Sequence, residues 1–127
     1  MRSDFGVKRH RLLKAFGYAF VGIKSAVGAE RNIQIHLFVA VVVISFGIWL
    51  SLSPVEWIFI LFAIGGMLSL EMMNSAIERV VDLVTKEFHP LAKDAKDIAA
   101  GAVLLYAIMS VIIGVVIFLP KFIVLFR

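Results

Sequence analysis

The segment "LSLEMMNSAIERVVDL" (68–83) sets Glu71, Asn74, Ser75, Glu78 and Asp82 inside one of the most apolar stretches of the chain. At ~100° per residue, these side chains fall within about 100° of one another around a helix. Such a row cannot face hydrocarbon; it must face protein or a water-filled cleft. Glu71 and Glu78 point the same way, about 10 Å apart along the axis, which suits separate tasks better than one shared proton. The deeper carboxylate, partly desolvated, can act as a general base. The shallower one can hold Mg²⁺, which prefers oxygen ligands and keeps several waters. Asn74 lies between them and can orient either. The alternative without chemistry is a polar seam across an oligomer interface.

Two further features bear on the same chemistry. "AKDAKD" (92–97) repeats Lys-Asp just before an apolar run, and Asp97 reads as the N-cap of the helix that follows. Lys93 and Lys96 would then sit beside a helix N-terminus, which already favours phosphate. Glu30 is an acid among bases, and taken alone it reads as a surface partner of Arg31. Acids for a divalent cation, lysines for phosphates and a base within the membrane together suggest phosphoryl transfer to a lipid hydroxyl. Neither GxxxxGK[ST] nor GxGxxG occurs, so ATP would bind without a standard nucleotide fold.

The elements that must position these groups follow from composition. The chain is 61% hydrophobic over 127 residues, against about 45–50% for soluble domains, so lipid is the main solvent and 1–127 is one domain. It has no cysteine and 3 histidines, which excludes disulfides, a thiol nucleophile and the usual zinc ligand sets. The opening residues, "MRSDFGVKRHRLLKAF", lack the apolar run and cleavage site of a signal peptide. Seven of the 13 Lys and Arg lie within residues 1–31. Beside so much apolar sequence, that clustering points to an anionic leaflet rather than nucleic acid.

No Lys or Arg occurs from Asn32 to Glu78, a run too long for one crossing and broken at "SLSPVEW" (51–57). This predicts membrane helices over about 33–52 and 55–84, and a third over 98–119 ending at Pro120. The basic residues of the N-terminal region and of 79–97 place both on the cytoplasmic side, leaving Lys121 and Arg127 outside against the rule. Residues 1–31 form a different kind of helix. Phe5, Leu12, Phe16, Phe20, Ile23 and Val27 share an arc of about 80°, with Lys8, Arg11 and Lys14 off it. That predicts an interfacial helix lying on the cytoplasmic leaflet.

The run "EMMNSAIERVVD", with Asp97 of "AKDIAAGAVLL" fifteen residues beyond Asp82 and "RLLKAFGYAFVGIKSAVGAE" upstream, resembles the bacterial integral-membrane diacylglycerol kinase family over nearly the whole chain. The resemblance implies an all-α membrane protein, with an N-terminal surface helix and three transmembrane helices per protomer. It also implies homotrimers with composite active sites. Glu71 then matches the catalytic base on the lipid hydroxyl, supported by Asn74, and Glu30 and Glu78 match the carboxylates holding the Mg²⁺ that accompanies ATP. This replaces the Glu30–Arg31 reading. Lys96 and Asp97 match ATP contacts, as do Glu87 and His89 of the loop, while Arg11 and Tyr18 match N-terminal helix residues near nucleotide and lipid. "FHPLAKDAKDIAAGAVLL", and "AVGA" before Glu30, look more like the Gram-positive branch that phosphorylates undecaprenol than the branch acting on diacylglycerol. The rival of another class, a small oligomeric proton-coupled transporter, needs a polar path through the bilayer. The polar row ends at Glu71 instead.

Overall fold

A computed structural model describes residues 2–127, with side chains from residue 8 onward. Phe5 of the predicted apolar arc therefore lies outside the described side chains. Four helices follow in order: α1 (Arg2–Ala29), α2 (Arg31–Trp49), α3 (Pro54–Val84) and α4 (Pro90–Leu125). Each contains a stretch long and apolar enough to cross a membrane. α3 packs most extensively on α4, then on α2, while among the described residues α1 touches only α2 and α3.

The chain exposes 9935 Å², whereas a soluble monomer of its mass would expose about 6,700 Å². Large apolar side chains such as Phe38, Phe62, Leu105 and Val116 make up much of the excess. A surface of this kind is stable only against lipid or other protein. The protein is a multi-pass membrane protein.

Local chemistry sets each boundary. One residue separates α1 from α2: Glu30 is extended (φ −104°, ψ 111°), yet its N–H still donates to the Ala26 carbonyl at 2.9 Å. Gln34 reaches back to the Val27 carbonyl at 2.9 Å, which satisfies a C-terminal acceptor of α1. The α2–α3 hairpin turns at Ser51, whose φ of 52° is left-handed, and α3 opens with a reciprocal capping box. There Ser53 Oγ accepts from Glu56 N at 3.2 Å, Glu56 Oε2 accepts from Ser53 N at 2.7 Å, and Pro54 follows at the first helical position. Leu52, Ile60 and Ile117 form a small core beside this hairpin. Lys121 of α4 reaches Glu56 at 3.1 Å, so the lysine that seemed misplaced at this end is a paired charge.

Three sequence expectations are corrected. α2 stops at Trp49 rather than 52, because the left-handed Ser51 ends the helix. α4 begins at Pro90 rather than 98: His89 is its N-cap, with Nδ1 accepting from Leu91 N at 3.2 Å, and Asp97 is a helix-interior residue. Pro120 does not end α4, which runs on to Leu125. Proline costs a helix one donor and some crowding, and membrane helices tolerate it where neighbours re-satisfy the backbone.

α3 and α4 approach closely where Gly66 faces Tyr106, whose hydroxyl donates to the Phe62 carbonyl at 2.6 Å. A Cβ at Gly66 would overlap the Tyr106 hydroxyl and ring. Gly66→Ala should therefore displace Tyr106 and destabilise the fold by about 1–2 kcal/mol, read as a lowered thermal midpoint in detergent. Introducing Tyr106→Ala first should remove most of that penalty; equal penalties in both backgrounds would rule out this contact as the cause.

Candidate active site

α3 buries one stripe, Ile60, Ala63, Met67, Glu71 and Ser75, spaced by three residues and then by fours along one helix face. The stripe is apolar toward the hairpin end and turns polar at Glu71, which is 4% exposed, and Ser75 at 6%. Beyond them Asn74 and Glu78 are half-buried and Asp82 is exposed. The acid row thus lies on the protein-facing side of α3 and opens toward the end away from the hairpin. α3 has 31 residues, about 46 Å at the helical rise, against a hydrocarbon core of ~30 Å. Its far end must project beyond the core, carrying Glu78 and Asp82 out of it.

Cross-helix pairs fix this end. Glu71 Oε1 lies 3.2 Å from His36 Nε2 of α2. Glu30, at the α1–α2 junction, receives Arg79 of α3 at 2.8 Å. Asp82 of α3 receives Lys96 of α4 at 2.6 Å. Within α4, Lys93 pairs with Asp97 one turn on. Asn74 Nδ2 donates to Glu78 Oε1 at 3.2 Å, and its Oδ1 is buried without a partner. In the α3–α4 connection, Thr85 Oγ1 and His89 Nδ1 accept from the N–H groups of Glu87 and Leu91.

Two cavities flank the row. One of about 250 Å³ sits at the α3–α4 connection, lined by Asp82, Glu87, His89, Lys93, Lys96 and Asp97 among others. Its lysines and helix start suit a phosphate-bearing ligand. The other, an apolar groove of about 350 Å³ among α2, α3 and α4, carries His36 and Ser110 as its polar groups.

With that geometry in view, the sequence matches the family described as prokaryotic diacylglycerol kinase over residues 17–118. The chain belongs to that family. It is 51% identical to an undecaprenol kinase of Bacillus subtilis over 119 residues, covering 94% of this chain and 97% of that protein. A diacylglycerol kinase of Synechocystis is 44% identical over 86% of this chain and 63% of its own length. A diacylglycerol kinase of Escherichia coli is 33% identical over 80% and 84%. The expected Gram-positive branch of the diacylglycerol kinase family is borne out by the higher identity to the Bacillus protein.

Of the residues expected from the diacylglycerol kinase family, Glu71, Asn74 and Glu78 share one face of α3, and Glu87, His89, Lys96 and Asp97 line one cavity. Arg11 and Tyr18 are exposed on α1, and neither lines that cavity. Glu30 is held by Arg79, the residue next to Glu78 on α3, and among the described residues no group of three or more acids or histidines assembles around a common centre. The donors still fit Mg²⁺ in its usual mode, with few protein ligands and the rest from water and phosphate. Glu78 and the unpartnered Asn74 Oδ1 are both hard oxygen donors at the mouth of the row.

Sequence reasoning missed His36 and Arg79. An ionisable residue inside an apolar span is a functional candidate by default, so His36 in "IQIHLF" was a usable signal. Arg79 follows Glu78 directly, and only the fold reveals its partner. Because the Glu30–Arg79 pair is half-exposed, Arg79→Gln should cost less than ~1 kcal/mol of stability. A spin label at Gly28 should nonetheless become more mobile, because α1 loses its tie to α3; unchanged label mobility would show the tie to be unimportant.

Proposed function

We propose that this protein phosphorylates a lipid alcohol at the cytoplasmic face of the membrane, using ATP, with undecaprenol as acceptor and undecaprenyl phosphate as product. The observation carrying this reading is the buried Glu71 carboxylate at the head of an acid row, in a chain so similar to the Bacillus undecaprenol kinase. The diacylglycerol kinases among its relatives make diacylglycerol the alternative acceptor. Both acceptors are primary alcohols, so the chemistry at Glu71 is the same for either.

In this mechanism Glu71 takes the proton of the lipid hydroxyl as its oxygen attacks the γ-phosphorus. The bond from γ-phosphorus to the bridging oxygen breaks, and ADP leaves with that oxygen. Lys96 offsets charge developing on the phosphates, while Glu87, His89 and Asp97 line the nucleotide's cavity. Glu78 and Asn74 would hold Mg²⁺, with Glu30 joining them if it shares its carboxylate with Arg79; the ion supplies charge neutralisation on the phosphate oxygens. Asn74 keeps Glu78 oriented through its amide N–H.

The same reading places α1 on the inner interface with the N-terminus cytoplasmic. α1 is the least apolar of the four candidate spans, and crossing would carry Lys14 and Lys24 through hydrocarbon at about 2.5–3.5 kcal/mol each near the centre. A homotrimer accounts for the large apolar surface and brings Arg11 and Tyr18 of a neighbouring copy within reach of the cavity. A proton-coupled transporter is disfavoured because α3's inner face is apolar from Ile60 to Met67.

Two measurements test the proposal. Purified protein with ATP, Mg²⁺ and a panel of lipid alcohols should phosphorylate undecaprenol preferentially. Glu71→Gln, nearly isosteric, should lower that turnover by more than ~10²; an unchanged rate removes Glu71 from the chemistry. For topology, Ser53→Cys should react with an impermeant maleimide in intact cells, while Thr85→Cys and Lys8→Cys should not. Labelling of Lys8→Cys would mean that α1 crosses the membrane.

A further inference from the structure

His36 belongs to none of the groups discussed for phosphate, metal or nucleotide, yet it touches the residue on which the chemistry turns. Its Nε2 lies 3.2 Å from Glu71 Oε1, the only hydrogen-bond partner Glu71's side chain has among the described residues. Glu71's side chain is 6% exposed and His36's 28%, so the contact is largely shielded from water. A carboxylate has two oxygens with about four acceptor positions. Among the described residues, Oε1 takes His36 and Oε2 takes nothing.

We propose that His36 is a positioning residue for Glu71: its Nε2–H holds Oε1 and thereby presents Oε2 to the incoming lipid hydroxyl. This rests on the lipid-kinase reading above. A free glutamate has three rotatable bonds, and a base must come within about 2.6–3.2 Å of the proton it removes. One fixed oxygen restricts the other to a narrow arc. Histidine suits the place better than the alternatives. It can donate while neutral, so it need not neutralise the base, whereas lysine or arginine would form a full ion pair. It also lines the apolar groove with Val39, Ala63 and Met67, where a permanent charge would be costly. The ring thus touches both the carboxylate and the apolar groove.

A contact that merely satisfies a buried acid would affect stability and leave turnover untouched. Two amide substitutions separate the cases, because they share chemistry and differ in reach by one methylene. The Gln amide nitrogen extends to about the position of Nε2, and the Asn amide stops short. In the full-length protein, with ATP, Mg²⁺ and undecaprenol in mixed micelles, His36→Gln should keep kcat within about threefold of the original. His36→Asn should lower kcat about 10- to 100-fold, as for loss of a hydrogen bond to a charged group, with KM for ATP unchanged within about twofold. Equal kcat for the two variants, or a loss confined to KM for ATP, overturns the positioning role.

Nitrogen NMR of the unsubstituted protein gives a check that needs no variant at His36. The Nε2 resonance should be that of a protonated nitrogen and should move on Glu71→Gln; a resonance indifferent to Glu71 overturns the proposal. Failure of the original protein to phosphorylate any lipid would instead sink the kinase reading itself. Normal turnover with insensitive His36 variants would sink only the role of His36.

Discussion

A carboxylate carried toward hydrocarbon must be met by protein, and much of this structure follows from how that demand is satisfied. Glu71 is sequestered on the inner stripe of α3 and answered from α2 by His36. Intramembrane acids that lack such an answer face a large desolvation penalty. The register between α2 and α3 is therefore constrained at this point. The apolar members of the same stripe, Ile60, Ala63 and Met67, then determine what packs toward the hairpin.

The helices differ in how they relate to the bilayer. α2, with 19 residues, is about as long as a single crossing requires. α3 and α4, with 31 and 36, are much longer, and their surplus at the connecting end forms a small polar structure of its own. There Asp82 reaches Lys96, and Thr85 and His89 organise the connection. Exposed ion pairs contribute little individually. Their value here is geometric, because each ties a different pair of elements: α3 to α4 through Asp82, and α3 to the α1–α2 junction through Glu30.

Much of this was legible in the sequence, for identifiable reasons. Hydrophobic run length and Pro54 directly after Ser51 and Ser53 marked the hairpin and the start of α3 to within a residue. The angular clustering of Glu71, Ser75 and Glu78 gave the side of α3 that turns inward. What stayed hidden depends on competition between local signals or on distance along the chain. Asp97 is a better cap than His89 by residue type, and only the preceding helical turns show it to be interior. Pro120 reads as a stop because its missing donor is local, whereas what tolerates it is the surrounding helix packing. Glu30–Arg79 and His36–Glu71 join residues 49 and 35 positions apart, which no local pattern encodes. Nor does α1 carry Arg11 and Tyr18 to the cavity lined by Lys96 within one protomer.

The Glu56–Lys121 pair at the hairpin has a wider electrical consequence. Opposite charges held together are close to invisible to a transmembrane voltage, which acts on net charge at about 2.3 kcal/mol per unit charge per 100 mV. Were Glu56 absent, Lys121 would add its unanswered positive charge to that of Arg127 on a face otherwise poor in charge. The clasp therefore makes the molecule electrically lopsided, with its responsive charge gathered at the end that bears the acid row.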